Sequence, residues 1–470
     1  MESVVLGLDL GTSGLKAVAL GEDGQVVAET EADGSVTTPH ANWAETDPAD
    51  WVAALHQVLE QLAPRLTNHR VAAVGVDGQM HGVVLVDAHG DPTRAAVLWP
   101  DRRAEEQTAR WQQLSAEHRA RLANPISAGM AGPILAWLHQ HEPGTMASST
   151  HALQPKDYLR TVLGGPPVTD RSDASATLLW NVAADDWAPD VADEVGIAAR
   201  LLPTVRPSDE VITSGPLLPG LGRGEVAVVT GAADTPAALL ACGGLQPGEV
   251  QVNLGTGAQV AVGLKRPTLE PDPRIHTFAD ATDGWYGLAA VQNAGLALGH
   301  ARGWLAMTWE ELFAKASSCE PGAGGVSVLP FLTGERLGIA SPTSRGAWIG
   351  LQASTTREHL ARAAVEAMVF TVRHAVELIG AGGQPVRLTG GAVRQRLVPQ
   401  LLADLLASPV HIVTLRSPSA VGSALLAARG IDMTIPTVYR SPAAAVEPGP
   451  ADGLDEAYAR WVDRLCVADR

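Results

Sequence analysis

Two Gly-Thr pairs, about half the chain apart, are the part of this 470-residue sequence best suited to chemistry. Gly11-Thr12 stands in Leu8-Asp9-Leu10-Gly11-Thr12-Ser13, and Gly255-Thr256 stands in Val252-Asn253-Leu254-Gly255-Thr256-Gly257. Each pair follows one apolar run (Val4 to Leu10; Val250 to Leu254) and precedes another (Leu15 to Leu20; Val260 to Leu264). That pattern reads as two strands joined by a tight turn. Such a turn gathers backbone N–H groups with no bulky side chain over them, a nest for phosphate oxygens to which Thr hydroxyls add donors. One copy alone would be an ordinary hairpin. Recurrence at the half-chain offset points to two related domains that each begin with the same device and grip a nucleotide between two lobes. Asp9 precedes the first turn. A carboxylate beside a phosphate nest is unfavourable unless a cation intervenes, so Asp9 is a candidate to hold Mg²⁺ through water near a transferring phosphate. The alternative is an Asp that closes its own turn.

The elements that must carry these residues are legible in outline. Val26 to Glu29 continues the first hairpin across Gly21-Glu22-Asp23-Gly24. Asp47-Pro48 opens a helix, Asp as cap and Pro at the first helical position, with an apolar face of Trp51, Leu55, Val58 and Leu62. Val71 to Val76 and Val83 to Val86 read as strands, so the first half runs three strands, a helix and two more strands. Val226 to Val229 is a further strand that turns through Thr230 to Pro236 into a helix over Ala237 to Ala241. Asp234 lies in that turn, where Asp234 or Thr235 is the expected cap. Gly243-Gly244 and Pro247-Gly248 then mark a boundary, giving expected domains over residues 1–243 and 244–470. In the second half Val386 to Thr389 is a strand ending at Gly390-Gly391 before a helix over Arg396 to Ala407. Pro442 to Pro450 is a connector before a last helix, Leu454 to Val467.

Composition narrows the field. The chain is too long for one ordinary core, and 46% apolar with 18% charged residues suits a globular protein. A net charge of −17 argues against a nucleic-acid groove. Lysine occurs at Lys16, Lys156, Lys265 and Lys315, never in a Gly-Lys-Ser/Thr context, so there is no Walker-type loop. Cys242, Cys319 and Cys466 are far apart, without metal spacing, and read as small buried apolar residues in a reducing compartment. No apolar stretch reaches membrane-spanning length and the N-terminus does not read as a signal peptide, so a cytoplasmic location with no membrane partner is expected.

Taken together the motifs resemble the FGGY family of carbohydrate kinases, in particular its xylulokinase branch, over Leu6 to about Gly422. The most specific stretch is Gly346-x-Trp348-x-Gly350-Leu351 followed by His359-Leu360-x-x-Ala363-Ala364-Val365-Glu366. The resemblance implies an α/β fold of two actin-like (ribonuclease H-like) domains with a central cleft. It also implies ATP and Mg²⁺ as cofactors, a small sugar as substrate, and a monomer or homodimer. Asp234 falls where the family has its catalytic base, a carboxylate that orients a sugar hydroxyl and accepts its proton. Gly78-Gln79-Met80-His81-Gly82 is similar to the xylulokinase sugar motif, His81 serving as a polar partner and Met80 as an adaptable wall. Trp99 and Asp101 are expected in the same pocket, an aromatic face against C–H groups and a carboxylate on hydroxyls; core packing is the alternative for Trp99. Thr235 adjoins the base. Gly11, Thr12, Ser13, Gly255 and Thr256 would hold phosphates. Gly390, Gly391, Ala392 and Arg394 resemble the adenosine-binding turn. Gly334-Glu335-Arg336 resembles a segment near the nucleotide, with a surface ion pair as the alternative.

The chain departs from the family pattern at four places. Pro100 stands where Asn is usual, Thr235 where Asn follows the catalytic Asp, Leu337-Gly338 where Thr-Pro follows Gly-Glu-Arg, and Ile134 where a Lys is common. Pro100 and Thr235 touch the expected sugar pocket. The resemblance thus implies phosphorylation of a ketopentose, D-xylulose foremost, with ribulose, gluconate or glycerol as alternatives; a sugar sensor with vestigial activity is the remaining reading.

Overall fold

The computed structural model describes residues 1–215, 224–335, 339–341, 343–436, 438–439 and 445–465. Both Gly-Thr turns join antiparallel strands, as their flanking apolar runs require. β1 (Glu2–Gly11) pairs with β2 (Gly14–Gly21), and β2 with β3 (Val26–Asp33). Helix α1 (Pro48–Leu62) follows, its N-terminus capped by Asp47, whose Oδ1 accepts from Ala49 N at 3.0 Å. Trp51, Leu55, Val58 and Leu62 are buried on its inner face. The nearly continuous apolar run in β4 (His69–Gly78) belongs at the sheet centre, parallel to β1. Beyond it lie β5 (Val211–Gly215), β6 (Val226–Val229) and the two-residue β7 (Ala232–Ala233), in a seven-stranded sheet ordered β5-β6-β4-β1-β2-β3 with β7 also on β4. Two details differ from the sequence reading. A two-residue strand, Glu45–Thr46, precedes α1, and Val84–Val86 pairs outside this sheet with His151–Leu153, because short strands find partners that no local pattern records.

The second half repeats the plan. β8 (Val250–Leu254) and β9 (Ala258–Leu264) form the second hairpin, followed by β10 (His276–Ala279) and β11 (Trp285–Val291). The parallel strands are β12 (Val386–Thr389) and β13 (Val410–Ile412), and the order is β10-β11-β9-β8-β12-β13. From β3 to β6 in the first sheet the pairings run antiparallel, antiparallel, parallel, parallel; from β11 to β13 in the second they run the same way. The repeat seen in a dipeptide is thus a repeat of topology, and the fold is two α/β domains. No described helix is long and apolar enough to cross a membrane.

Helices position the site from behind. α2 (Pro155–Val162) lies below β4, and α3 (Asp234–Ala241) leaves directly from β7. α4 (Arg357–Leu378) and α5 (Leu397–Leu406) cover the second sheet. α6 (Pro418–Gly430), although late in the chain, packs on the first sheet: Ala420, Val421, Ala424 and Ala427 meet Val5, Val18 and Ala73. The approach is close enough that a Cβ at Gly7 would lie 1.7 Å from Ala420 O and one at Gly75 2.1 Å from Ser423 O. Any side chain at either glycine would push α6 off the sheet. The last helix runs Leu454–Arg464; Arg336, Leu337-Gly338, residues 442–444 of the expected connector, and Cys466 lie outside the described residues.

Candidate active site

Two connected cavities lie between the sheets, and Asp234 and Thr235 line both. The larger, about 830 Å³, is walled on one side by Thr12, Gln79, Met80, His81, Trp99 and Pro100. Its other wall comes from the second domain and includes Gly255, Thr256, Gln259, His276 and Phe278. The smaller, about 310 Å³, is bounded by Asn253, Thr389, Gly390, Leu415, Pro418 and Ser419. Asp234 therefore sits where a group held in one space can reach a group held in the other.

Asp234 is the first helical residue of α3, three residues earlier than the helix expected at Ala237. The expectation that Asp234 or Thr235 caps this helix is corrected: Ala233 is the cap, with no side-chain bond. Asp234 Oδ1 instead accepts from Thr235 N at 2.6 Å and Thr235 Oγ1 at 3.2 Å. Pro236 fixes the first turn either way, but the turn from β7 delivers Asp234 already in helical conformation. Burial between the cleft walls, and then the charge of Asp9, push its pKa up to about 7. A carboxyl poised there accepts a proton readily near neutral pH.

Asp9 lies opposite Asp77 in the parallel β1–β4 register. Burial raises the pKa of Asp9. Asp77 is fully buried, and desolvation followed by the Asp9 charge holds its pKa well above the usual carboxylate range. Ser423 of α6 hydrogen-bonds to Asp77 Oδ2. The sequence reading passed over Asp77, although a lone carboxylate ending an apolar strand was a visible signal.

Gln79 and Trp99 are stitched to the first Gly-Thr turn. Thr12 Oγ1 donates to Gln79 Oε1 at 2.9 Å and accepts from Trp99 Nε1 at 3.0 Å. Thr12 also lines the larger cavity, so the residue expected at a phosphate is in this structure tied to the Gln79 and Trp99 side chains. Trp99 is 39% exposed, so core packing does not account for it. His81 has φ 73°, and its Nδ1 lies 2.8 Å from Ala176 O. A carbonyl only accepts, so Nδ1 carries a proton. Phe278 of β10 flanks the ring at 6.0 Å.

Asp101 is a correction. It is buried and absent from the cavity lining, because its carboxylate accepts from Ala44 N at 2.7 Å and from Arg103 N, Nε and Nη2 at 2.7 to 2.9 Å. A carboxylate so occupied has little capacity left for hydroxyls. It fixes the loop that carries Trp99.

On the second domain, Gly255 and Thr256 face the cleft, while Gly295 N and Leu296 N donate to their carbonyls at 3.1 and 2.8 Å. Gly390 has φ 96°, and a Cβ there would lie 2.4 Å from Leu254 O. It lines the smaller cavity; Gly391, Ala392 and Arg394 form a short 3₁₀ turn behind it and do not line it. Ser13 is exposed beside the first turn and lines neither cavity. Glu335 is fully buried and accepts from Gln292 N at 3.1 Å, so its side chain is not on the surface. Ile134 is core, not cleft. The signature around Trp348 and His359 also lies away from the cleft: Thr356 N donates to His359 Nδ1 at 3.1 Å at the start of α4, and Arg362 pairs with Glu366 at 2.6 Å. Its role is architectural.

The model of the FGGY family of carbohydrate kinases, N-terminal domain, matches residues 4–241, and that of the C-terminal domain matches residues 250–431. The chain is 30% identical over 433 residues to a xylulose kinase of Escherichia coli (strain K12), covering 90% of this chain and 88% of that protein. A solved xylulose kinase from Rhodospirillum rubrum superposes with TM-score 0.89 at 27% identity, over 99% of this chain and 98% of that one. A gluconate kinase from Lactobacillus acidophilus superposes with TM-score 0.93 at 20% identity, over 100% and 99%, which is a likeness of fold.

Proposed function

The chain belongs to the FGGY family of carbohydrate kinases, and from that premise we propose that it transfers the γ-phosphoryl group of ATP to the terminal hydroxyl of D-xylulose, giving D-xylulose 5-phosphate. The observation that carries this reading is Asp234 at the junction of two cavities, with a pKa of about 7. The sugar occupies the larger space against Gln79, Met80, His81 and Trp99. His81 is the polar partner for a hydroxyl, and Trp99 covers a C–H face. The nucleotide enters from the second domain, with phosphates over Gly255-Thr256 and the nucleoside toward Gly390. Asp234 orients the attacking hydroxyl and takes its proton as the phosphoryl group arrives. The cleft walls hold the two reactants in line and keep water, a smaller competing nucleophile, away.

Asp9 suits Mg²⁺. Its neighbours Asp77 and Asp234 add carboxyl oxygens nearby, while no described cluster of three or more His, Cys, Asp or Glu could cage a metal directly. That donor set fits a cation that keeps its waters, held through Asp9, and its chemistry would be to neutralise charge on the transferring phosphate.

A kinase acting on another sugar acid or polyol is favoured by one observation: Pro100 and Thr235, both departures from the xylulokinase pattern, line the larger cavity. The deciding experiment is ADP release with MgATP across D-xylulose, L-xylulose, D- and L-ribulose, glycerol, gluconate and no sugar. Selectivity for D-xylulose supports the proposal. Selectivity for another acceptor keeps the reaction and moves specificity to Pro100 and Thr235. Release independent of sugar overturns both readings.

A further inference from the structure

Behind the cleft lies a group of ionisable side chains withdrawn from water. Lys156 and Arg160 on α2 and Asp157, Asp170 and Asp173 are each 0 or 1% exposed. Lys156 Nζ is 2.6 Å from Asp157 Oδ1, 3.0 Å from Asp170 Oδ1 and 3.1 Å from Asp173 Oδ2. Arg160 Nη1 donates to Asp157 Oδ1 and to Thr230 O, both at 2.7 Å. Asp170 Oδ2 accepts from Ser172 N at 2.9 Å, Ser172 Oγ at 2.6 Å and Ser208 Oγ at 2.9 Å. Ser172 Oγ in turn accepts from Ala233 N at 2.9 Å. Proton directions are forced: a backbone N–H only donates, so the Ser172 proton must point to Asp170.

We infer that this relay, Lys156 to Asp170 to Ser172 to the Ala233 amide, is a positioning device that aims Asp234 into the cleft. It rests on the reading of Asp234 as the base. Ala233 is both the end of β7 and the cap of α3, so the next residue's direction is set by the orientation of this one peptide. β7 holds β4 through two residues only, Ala232 opposite Asp77 and Ala233 opposite Gly78. The short ladder is a weak constraint, and the Ser172 hydroxyl supplies the missing one. Arg160 fixes the same turn from its other end through Thr230 O, and Gly231 presses it onto β4, where a Cβ would lie 1.9 Å from Val76 O. An apolar filling of this volume would spare the desolvation of these buried ionisable groups. What it would not do is hold a polar atom in a fixed direction. The network ends one residue before the base, which is where direction matters to catalysis.

Ser172→Ala removes the acceptor and leaves the charged cluster in place. Its kcat should fall about 10- to 100-fold with sugar KM within about threefold. Hydrogen exchange at the Ala233 amide should accelerate at least about tenfold. Ser172→Cys, nearly the same shape and a weaker acceptor, should fall between wild type and alanine in both readouts. It carries the test if the alanine variant does not fold. A kcat within twofold of wild type in a folded variant overturns the relay, as does a loss carried by KM or an unchanged Ala233 exchange rate. Wild-type protein that phosphorylates no sugar would fail the functional reading instead; Ala233 exchange, which needs no turnover, would still decide the relay.

Discussion

The two Gly-Thr turns share a sequence, a hairpin and a place in their sheets, yet their surroundings differ. At the first, Asp9 faces Asp77 on the neighbouring parallel strand; at the second, the equivalent positions are Asn253 and Thr389. The first lobe places a carboxylate pair where the second places a neutral pair whose side chains hydrogen-bond at 3.3 Å. The hydroxyls differ too. Both Thr12 and Thr256 face the cleft, but Thr12 is also engaged by Gln79 and Trp99. One repeated device thus stands in two settings. The first turn is tied to Gln79 and Trp99 and adjoins a carboxyl pair, and the second adjoins a neutral pair at the cleft. Duplication of a fold sets where a turn lies; the side chains on adjacent strands set what it does.

The sharpest way to break this division is Asp234, which belongs to neither turn. Asp234→Ala should lower kcat by about 10³-fold with sugar and nucleotide binding retained, measured by ADP release and calorimetry. In the wild type, kcat/KM should fall with unit slope below about pH 7, because the base must be ionised and its pKa is raised to about 7. A flat profile from pH 5 to 8 would remove Asp234 from that role. Next in size, Asp9→Asn gives the first turn the second turn's residue. Turnover should fall about 10²-fold, and the acid limb should move to lower pH because a like charge beside Asp234 is gone. The reciprocal exchange, Asn253→Asp, should raise KM for ATP about tenfold and leave sugar KM unchanged, since it places an anion beside the phosphate nest. Equal effects on both substrates would mean the lobes are not specialised.

Trp99→Phe cuts the link to Thr12. Loss of one hydrogen bond of about 0.5–1.5 kcal/mol should raise sugar KM about two- to tenfold, with ATP KM steady. The smallest effect concerns stability. Asp77 has a folded pKa raised above its unfolded value, so its contribution to stability is present at acid pH and lost as pH rises. Asp77→Asn should therefore gain on wild type as pH rises above the unfolded value of 3.8, level with it at about pH 3 and melting about 2–4 °C above it at about pH 8, in EDTA. A variant that melts lower at both values would show Asp77 to be needed as an ion.

The chain by itself determined the duplicated plan. Apolar runs of strand length around Gly-Thr, the Asp47-Pro48 cap, and the amphipathic face of α1 are local patterns with one physical solution each. It also placed Gln79, Met80, His81, Trp99 and Asp234 together, because a resemblance transfers residues that lie next to strong motifs. What it could not fix were choices made by partners distant in sequence. Asp101 was assigned to hydroxyls, but Ala44 N and Arg103 claimed its oxygens. Gln79 and Trp99 both bond the Thr12 hydroxyl, pairings across the chain that no local pattern records. α6 lies late in the second half, and only the bare backbone at Gly7 and Gly75 brings it onto the first sheet and Ser423 to Asp77. Periodicity reports which face of an element is apolar; it does not report which polar atom reaches a given carboxylate first. That competition is settled at distances of about 3 Å between residues far apart in the chain, so only the tertiary structure could decide it.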